Sequence, residues 1–339
     1  MQPTLIIGLG GTGAYVLAGV WQALQNDQRA AAQVGKSLHL LYIDTDTRFP
    51  VQLQLPEHWQ HSIGFYALPY ILDACQHDEN LKEWFDCEIL RYVHWKPDQF
   101  DLSRSTAMYR QFGRLALFHD LASGNHSRVR RSIHQALSTI QQHNPDPPLI
   151  ILCASLIGGT GSALLLDVAY LVRQILAKTR NNPHDGDLLA VCALHDVFTA
   201  AVAHGGQHHH IRFIMNQVAA IKEIRHYSRN RYEFGPKNGV IAFESIEPFN
   251  TYWLYGTDQT RWSGHQWPTD HFTSIADDVA NVIRTDVLVL QPNRPGIVDT
   301  LAPLETNIIR DWGDWNSIYE RHISDDGRLS PHISREFCR

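Results

Sequence analysis

What this chain lacks narrows its chemistry before any motif is read. Its five cysteines (Cys75, Cys87, Cys153, Cys192 and Cys338) are scattered and form no C-x-x-C pair, and two of them sit inside apolar strand-like runs. They read as reduced core residues. No apolar stretch reaches membrane-spanning length, and no basic region precedes the short apolar run of MQPTLIIGLGG, which leads straight into a structural motif. A cytoplasmic protein without a membrane span is therefore expected. Long basic runs are absent too, and with a formal net charge of -6 nucleic acid has little support as a partner. What remains is 339 residues at 44% hydrophobic composition, enough for a substantial core and suited to small ligands or proteins as partners.

The chain is organised around Leu149–Val172, an apolar run followed by Gly158-Gly159-Thr160-Gly161-Ser162 and then by apolar residues at helical spacing. The pattern predicts strand, glycine loop, helix. Glycines there let backbone N–H groups approach an anion, toward which the helix turns its positive end, so a phosphate is the natural guest. The lysine of the G-x-x-x-x-G-K-[ST] loop is missing, which excludes the ordinary P-loop and leaves Thr160 and Ser162 as hydroxyl donors. A side chain at Gly159 or Gly161 is expected to block the amides and to spare the fold.

A second unit of the same kind opens the chain: Thr4–Ile7, then Gly8-Leu9-Gly10-Gly11-Thr12-Gly13, then a helical pattern through Tyr15, Val16, Val20 and Leu24. Alone it fits the G-x-G-x-x-G fingerprint of dinucleotide sites. The next strand, Leu38–Ile43, ends in Asp44-Thr45-Asp46, where carboxylates could hold a ribose or face a metal or base. Pro50–Pro97 reads as helices and loops. Ser103–Phe118 places Arg104, Arg110 and Arg114 on a loop entering a helix, either as phosphate ligands or as a solvated basic face. Val129–Ile140 continues as a helix until Asn144-Pro-Asp-Pro-Pro breaks it.

Further along, Leu188–Leu194 is a buried strand ending in His195–Phe198, and the imidazole-rich His204–His210 reads as a polar loop rather than a zinc site. Arg212–His226 is a helix carrying Asn216. Asn230–Asn238 is an exposed insertion or turn, Thr251–Tyr255 a strand, Phe272–Val282 a helix, and Asp286–Leu290 strand-like or a continuation of that helix. Alternating strands and helices predict an α/β fold, a Rossmann-like, mostly parallel sheet with helices on both faces and both glycine loops on one edge. One large domain over residues 1–290 and an irregular tail over 291–339 are expected.

With both glycine motifs in order, the sequence resembles the tubulin/FtsZ superfamily, within it the divergent bacterial tubulin-like proteins, from about Thr4 to Asp299. The resemblance implies GTP or GDP as ligand, with Mg2+ bridging phosphates and water. It places Gly10, Gly11, Thr12 and Gly13 on the phosphates, Asp44 and Asp46 at an N-T-D-like strand end, and Gly113-Arg114 at the close of a further phosphate loop. The G-G-G-T-G-[ST]-G signature corresponds to Ile157–Ala163, with Gly158, Gly159, Thr160, Gly161 and Ser162 matching and both outer glycines replaced. Asn216 falls on the ribose side, Asp258 or Thr257 at the guanine and Phe272 on the base, although Gly8 and Gly159 also suit tight packing, Phe272 a core and Asn216 an exposed helix face. Only about fifty residues follow Leu290, which implies a shortened or absent C-terminal domain. The catalytic N-x-D-x-x-D loop survives only as Arg294-Pro-Gly-Ile-Val-Asp299, making Asp299 the candidate for orienting water. Weak or assembly-dependent GTP hydrolysis and a filament or scaffold role follow. Two other readings stay open: an NAD(P)-dependent Rossmann oxidoreductase using Gly8–Gly13 with Asp44, and a non-catalytic nucleotide-dependent scaffold suggested by nine tryptophans and the short tail.

Overall fold

A computed structural model describes residues 2–46, 56, 59–63, 77, 79, 85, 109–198, 207–237, 239–256 and 269–285. Six strands, β1 (Thr4–Leu9), β2 (Leu38–Asp44), β3 (Gln60–Ser62), β4 (Leu149–Ser155), β5 (Asp187–Ala193) and β8 (Thr251–Tyr255), form one sheet in the order β3-β2-β1-β4-β5-β8. Every pairing in it is parallel. Strand order reverses between β1 and β4, since the chain runs outward from β1 to β3 and then returns to lay β4 against β1's other side. Such a switch point opens a crevice at the strands' carboxyl ends.

The inner strands β1, β4 and β5 read as nearly continuous apolar runs because both faces of the sheet are covered. Leu5, Ile7 and Leu9 of β1 point into a core shared with α3 (Arg110–Ala122), α4 (Arg128–His143), α5 (Gly161–Arg180) and α6 (Gln207–Tyr227). Ile6 points the other way, into a core with α1 (Gly10–Gln25), the short α2 (Gln28–Ala31) and α7 (Thr269–Thr285). Helices on both faces are thus observed, as the alternation of elements implied. Cys153 and Cys192 are free and buried as expected, and burial pushes the Cys153 thiol up to about 12.

Four local expectations are corrected. A short strand, β3, lies within the stretch expected to hold only helices and loops. Residues 208–210 belong to the first turn of α6 rather than to a loop. The supposedly exposed turn at 230–238 contains β6 (Tyr232–Phe234), paired antiparallel with β7 (Ile241–Phe243). Its Tyr232 is fully buried, stacked on Tyr170 with ring centroids 3.9 Å apart, and its hydroxyl donates to Asp167 over 2.6 Å. That hairpin folds onto α5 because α5 offers an acceptor and an aromatic face one turn apart. Finally, β1 runs two residues past Ile7, and Gly10–Gly13 form the first turn of α1, not a loop. Asp258, residues 286–290, Asp299 and the tail lie outside the described residues.

The later part of α5 is fastened by Arg173, which is buried. Its guanidinium donates to the carbonyls of Pro248, Pro183 and Gly186 at 3.2, 3.0 and 3.1 Å and to Asn250 Oδ1 at 2.7 Å. This pins the connections that lead into β5 and β8. Among the described residues no helix is long and apolar enough to cross a membrane.

Candidate functional site

At the switch point the two glycine motifs touch. Gly10 takes a left-handed φ of +67° to turn β1 into α1, and a Cβ built on it would lie 2.9 Å from the Gly161 nitrogen. A Cβ on Gly161 would in turn stand 2.8 Å from the Leu9 carbonyl oxygen, and one on Gly13 would be 2.8 Å from that of Cys153. These glycines let α1, α5 and their strands pack backbone to backbone. Gly8 has the same role against Gly13, and Gly113 lets α3 approach the Gly159 carbonyl. The expectation that a side chain at Gly161 would spare the fold is thus corrected, because the space is filled by backbone. Gly11 differs: it is exposed, and nothing stands within 4 Å of where its Cβ would be. Glycine in a helix costs about 1 kcal/mol against alanine, and no packing contact at Gly11 explains that cost.

Both helices begin without a side-chain cap and without an acidic residue in the first turn. Their leading N–H groups lack intrahelical acceptors and carry the positive ends of two helix dipoles. The hydroxyls expected to assist do something else. Thr160 Oγ1 is 2.9 Å from Thr45 Oγ1, joining the loop to the end of β2, and Ser162 Oγ donates to the Gly158 carbonyl. They set the loop's shape.

The Asp44 carboxylate is also engaged within its own strand end, accepting from Tyr42 Oη at 2.6 Å and from the backbone of Thr45 and Asp46 at 2.7 and 3.3 Å. Burial pushes its pKa up, against the pull of those hydrogen bonds. Asp46 follows it, half-buried.

Arg114, expected at the close of a phosphate loop, is turned to a different task. Its Nε and Nη2 each donate to one oxygen of the fully buried Asp167 at 2.9 Å, and the guanidinium lies 4.8 Å from the Phe234 ring centroid. One helical turn earlier, Arg110 donates to Ser162 Oγ and to the Ser162 carbonyl, both at 3.1 Å, and reaches both oxygens of Glu223 at 3.1 and 2.6 Å. Burial raises the Glu223 carboxyl, but Arg110 and then Arg114 outweigh it and hold it below the ordinary value. Asn216, on the same helix as Glu223, donates to the Ile157 carbonyl over 2.7 Å. The glycine loop is therefore braced from α3 and α6. Glu223 and Asp167 carried no sequence signal, being single carboxylates within helical patterns and outside the glycine motifs themselves.

Phe272 is 4% exposed, stacked on Tyr15 at 5.5 Å between centroids and tilted against Phe198 at 5.7 Å. No group of three His, Cys, Asp or Glu side chains that could hold a metal occurs among the described residues.

Two uncapped helix N-termini follow neighbouring parallel strands and abut at the switch point of an α/β domain of Rossmann type. The family model described as "Tubulin like" matches residues 5–320, and the chain belongs to that family. No curated protein matches the chain. Among solved structures, TubZ of Clostridium botulinum phage c-st, truncated at its C-terminal tail, is 13% identical with a TM-score of 0.45, covering 87% of this chain and 62% of its own. CetZ from Methanosaeta thermophila is 13% identical with a TM-score of 0.47, covering 90% and 59%. CetZ2 from Haloferax volcanii, a GTPgS-bound protofilament, is 13% identical with a TM-score of 0.46, covering 86% and 61%. The chain thus spans about three-fifths of the length of these structures.

Proposed function

We propose that this tubulin-like chain binds a guanine nucleotide, GTP or GDP, with its phosphates on the first turns of α1 and α5. The observation that carries the reading is the open space over Gly11 beside two uncapped helix N-termini, and membership of the tubulin-like family supports guanine as the base. An oxidoreductase would leave the second loop unexplained, since one such loop suffices for a dinucleotide.

Mg2+ fits this site as the nucleotide's companion. The Asp44 oxygens already accept internal hydrogen bonds, so the ion would be held by phosphate oxygens and waters, as Mg2+ commonly is. It would supply charge neutralisation that Arg110 and Arg114, held by carboxylates, do not. Asp258 remains proposed for the base and Asp299 for orienting water, with turnover weak or dependent on a second copy and self-assembly into filaments or a scaffold in the cytoplasm.

Titration of the full chain with GTP, ATP and NADH in Mg2+ tests the reading. Preferential GTP binding is expected, with any hydrolysis per chain rising with protein concentration. NADH binding without GTP binding overturns it.

A further inference from the structure

Four aromatic rings form a continuous row along the carboxyl edge of the sheet, on the α1 side of the switch point. Phe213 of α6 meets Phe198, just past β5, at 6.4 Å, Phe198 meets Phe272 at 5.7 Å, and Phe272 meets Tyr15 at 5.5 Å with planes inclined by 26°. Phe272 and Phe213 come from early turns of helices that leave this edge, as Tyr15 does on α1. Phe272 lies within the row, its ring contacted by neighbours on both sides and almost wholly buried. Tyr15 is half-buried, and its hydroxyl makes no hydrogen bond among the described residues.

Position on the helix gives Tyr15 its significance. It follows Gly11 by four residues, so the two share one face of α1, with Tyr15 one turn beyond the amides. A ligand with its anionic end over Gly11 would extend across an exposed part of an aromatic ring already braced from behind.

Resting on the nucleotide reading above, we propose that Tyr15 is the platform on which the purine stacks, and that Phe272, expected from the sequence to stack on the base, instead backs Tyr15. Stacking on an aromatic face tolerates any purine, so this contact adds affinity while guanine selection lies elsewhere. The ring, not the hydroxyl, carries the effect.

The experiment compares wild type, Tyr15→Phe and Tyr15→Leu as full chains, titrated with GTP and with inorganic tripolyphosphate, which has no base. Leucine keeps apolar contact with Phe272 but has no π face, and a melt without ligand reports any loss of fold. Tyr15→Leu is expected to weaken GTP binding about tenfold and leave tripolyphosphate binding unchanged, and Tyr15→Phe to bind GTP like wild type. Undiminished GTP binding by Tyr15→Leu overturns the proposal, as does equal weakening toward both ligands or loss of GTP binding in Tyr15→Phe. A wild-type chain that binds tripolyphosphate but not GTP overturns the base platform and keeps the phosphate cradle; one that binds neither overturns both.

Discussion

Asp167→Ala is expected to lower the free energy of unfolding by about 3–5 kcal/mol, the usual cost of removing one partner from a buried ion pair. Asp167 is fully buried and receives both arms of Arg114, and Tyr232 donates to it from the β6–β7 hairpin. Truncation would leave a guanidinium without its countercharge and a phenol without its acceptor. The same carboxylate joins three elements (α3, α5 and the hairpin), so the loss would be felt across one whole face of the sheet. Tyr232→Phe removes only the hydroxyl and is expected to cost about 1 kcal/mol. Urea denaturation of the three proteins checks both values. If Asp167→Ala unfolds within about 0.5 kcal/mol of wild type, the ion pair is not holding this face together.

Gly161→Val is the second large effect, and it falls on folding before any ligand is added. The new Cβ would stand 2.8 Å from the Leu9 carbonyl oxygen, which is backbone of the central strand and cannot swing aside. Overpacking of this kind costs about 1–3 kcal/mol, and the absence of a flexible neighbour places this case at the upper end. A markedly lower melting temperature without nucleotide is the expected result. A melt that coincides with wild type would contradict the packing role and return Gly161 to an open cradle.

Those two residues also show what was legible in the sequence. The β1–α1 and β4–α5 units could be read because an apolar run, glycine punctuation and helical spacing are local signals, and the parallel sheet followed from their alternation. Whether a glycine clears space for a neighbour or for a ligand is not local. Gly10 and Gly11 are adjacent in the chain, yet one abuts the Gly161 nitrogen and the other faces open space. Likewise Arg114 and Asp167 are 53 positions apart, so the sequence showed an arginine beside a glycine and not the carboxylate that claims it. The hairpin at Tyr232 was hidden for the same reason: its short strands are held by side chains of α5 rather than by their own pattern.

Gly11 separates ligand binding from folding, because a side chain there meets nothing in the protein. Calorimetric titration of the Gly11→Val full chain with GTP, beside wild type, is the most direct test of a phosphate seated on these amides. The expected result is an unchanged melting temperature with GTP affinity reduced by about 100-fold, as for loss of a charge-assisted hydrogen bond worth roughly 3 kcal/mol. A folded Gly11→Val chain that binds GTP as tightly as wild type would contradict it.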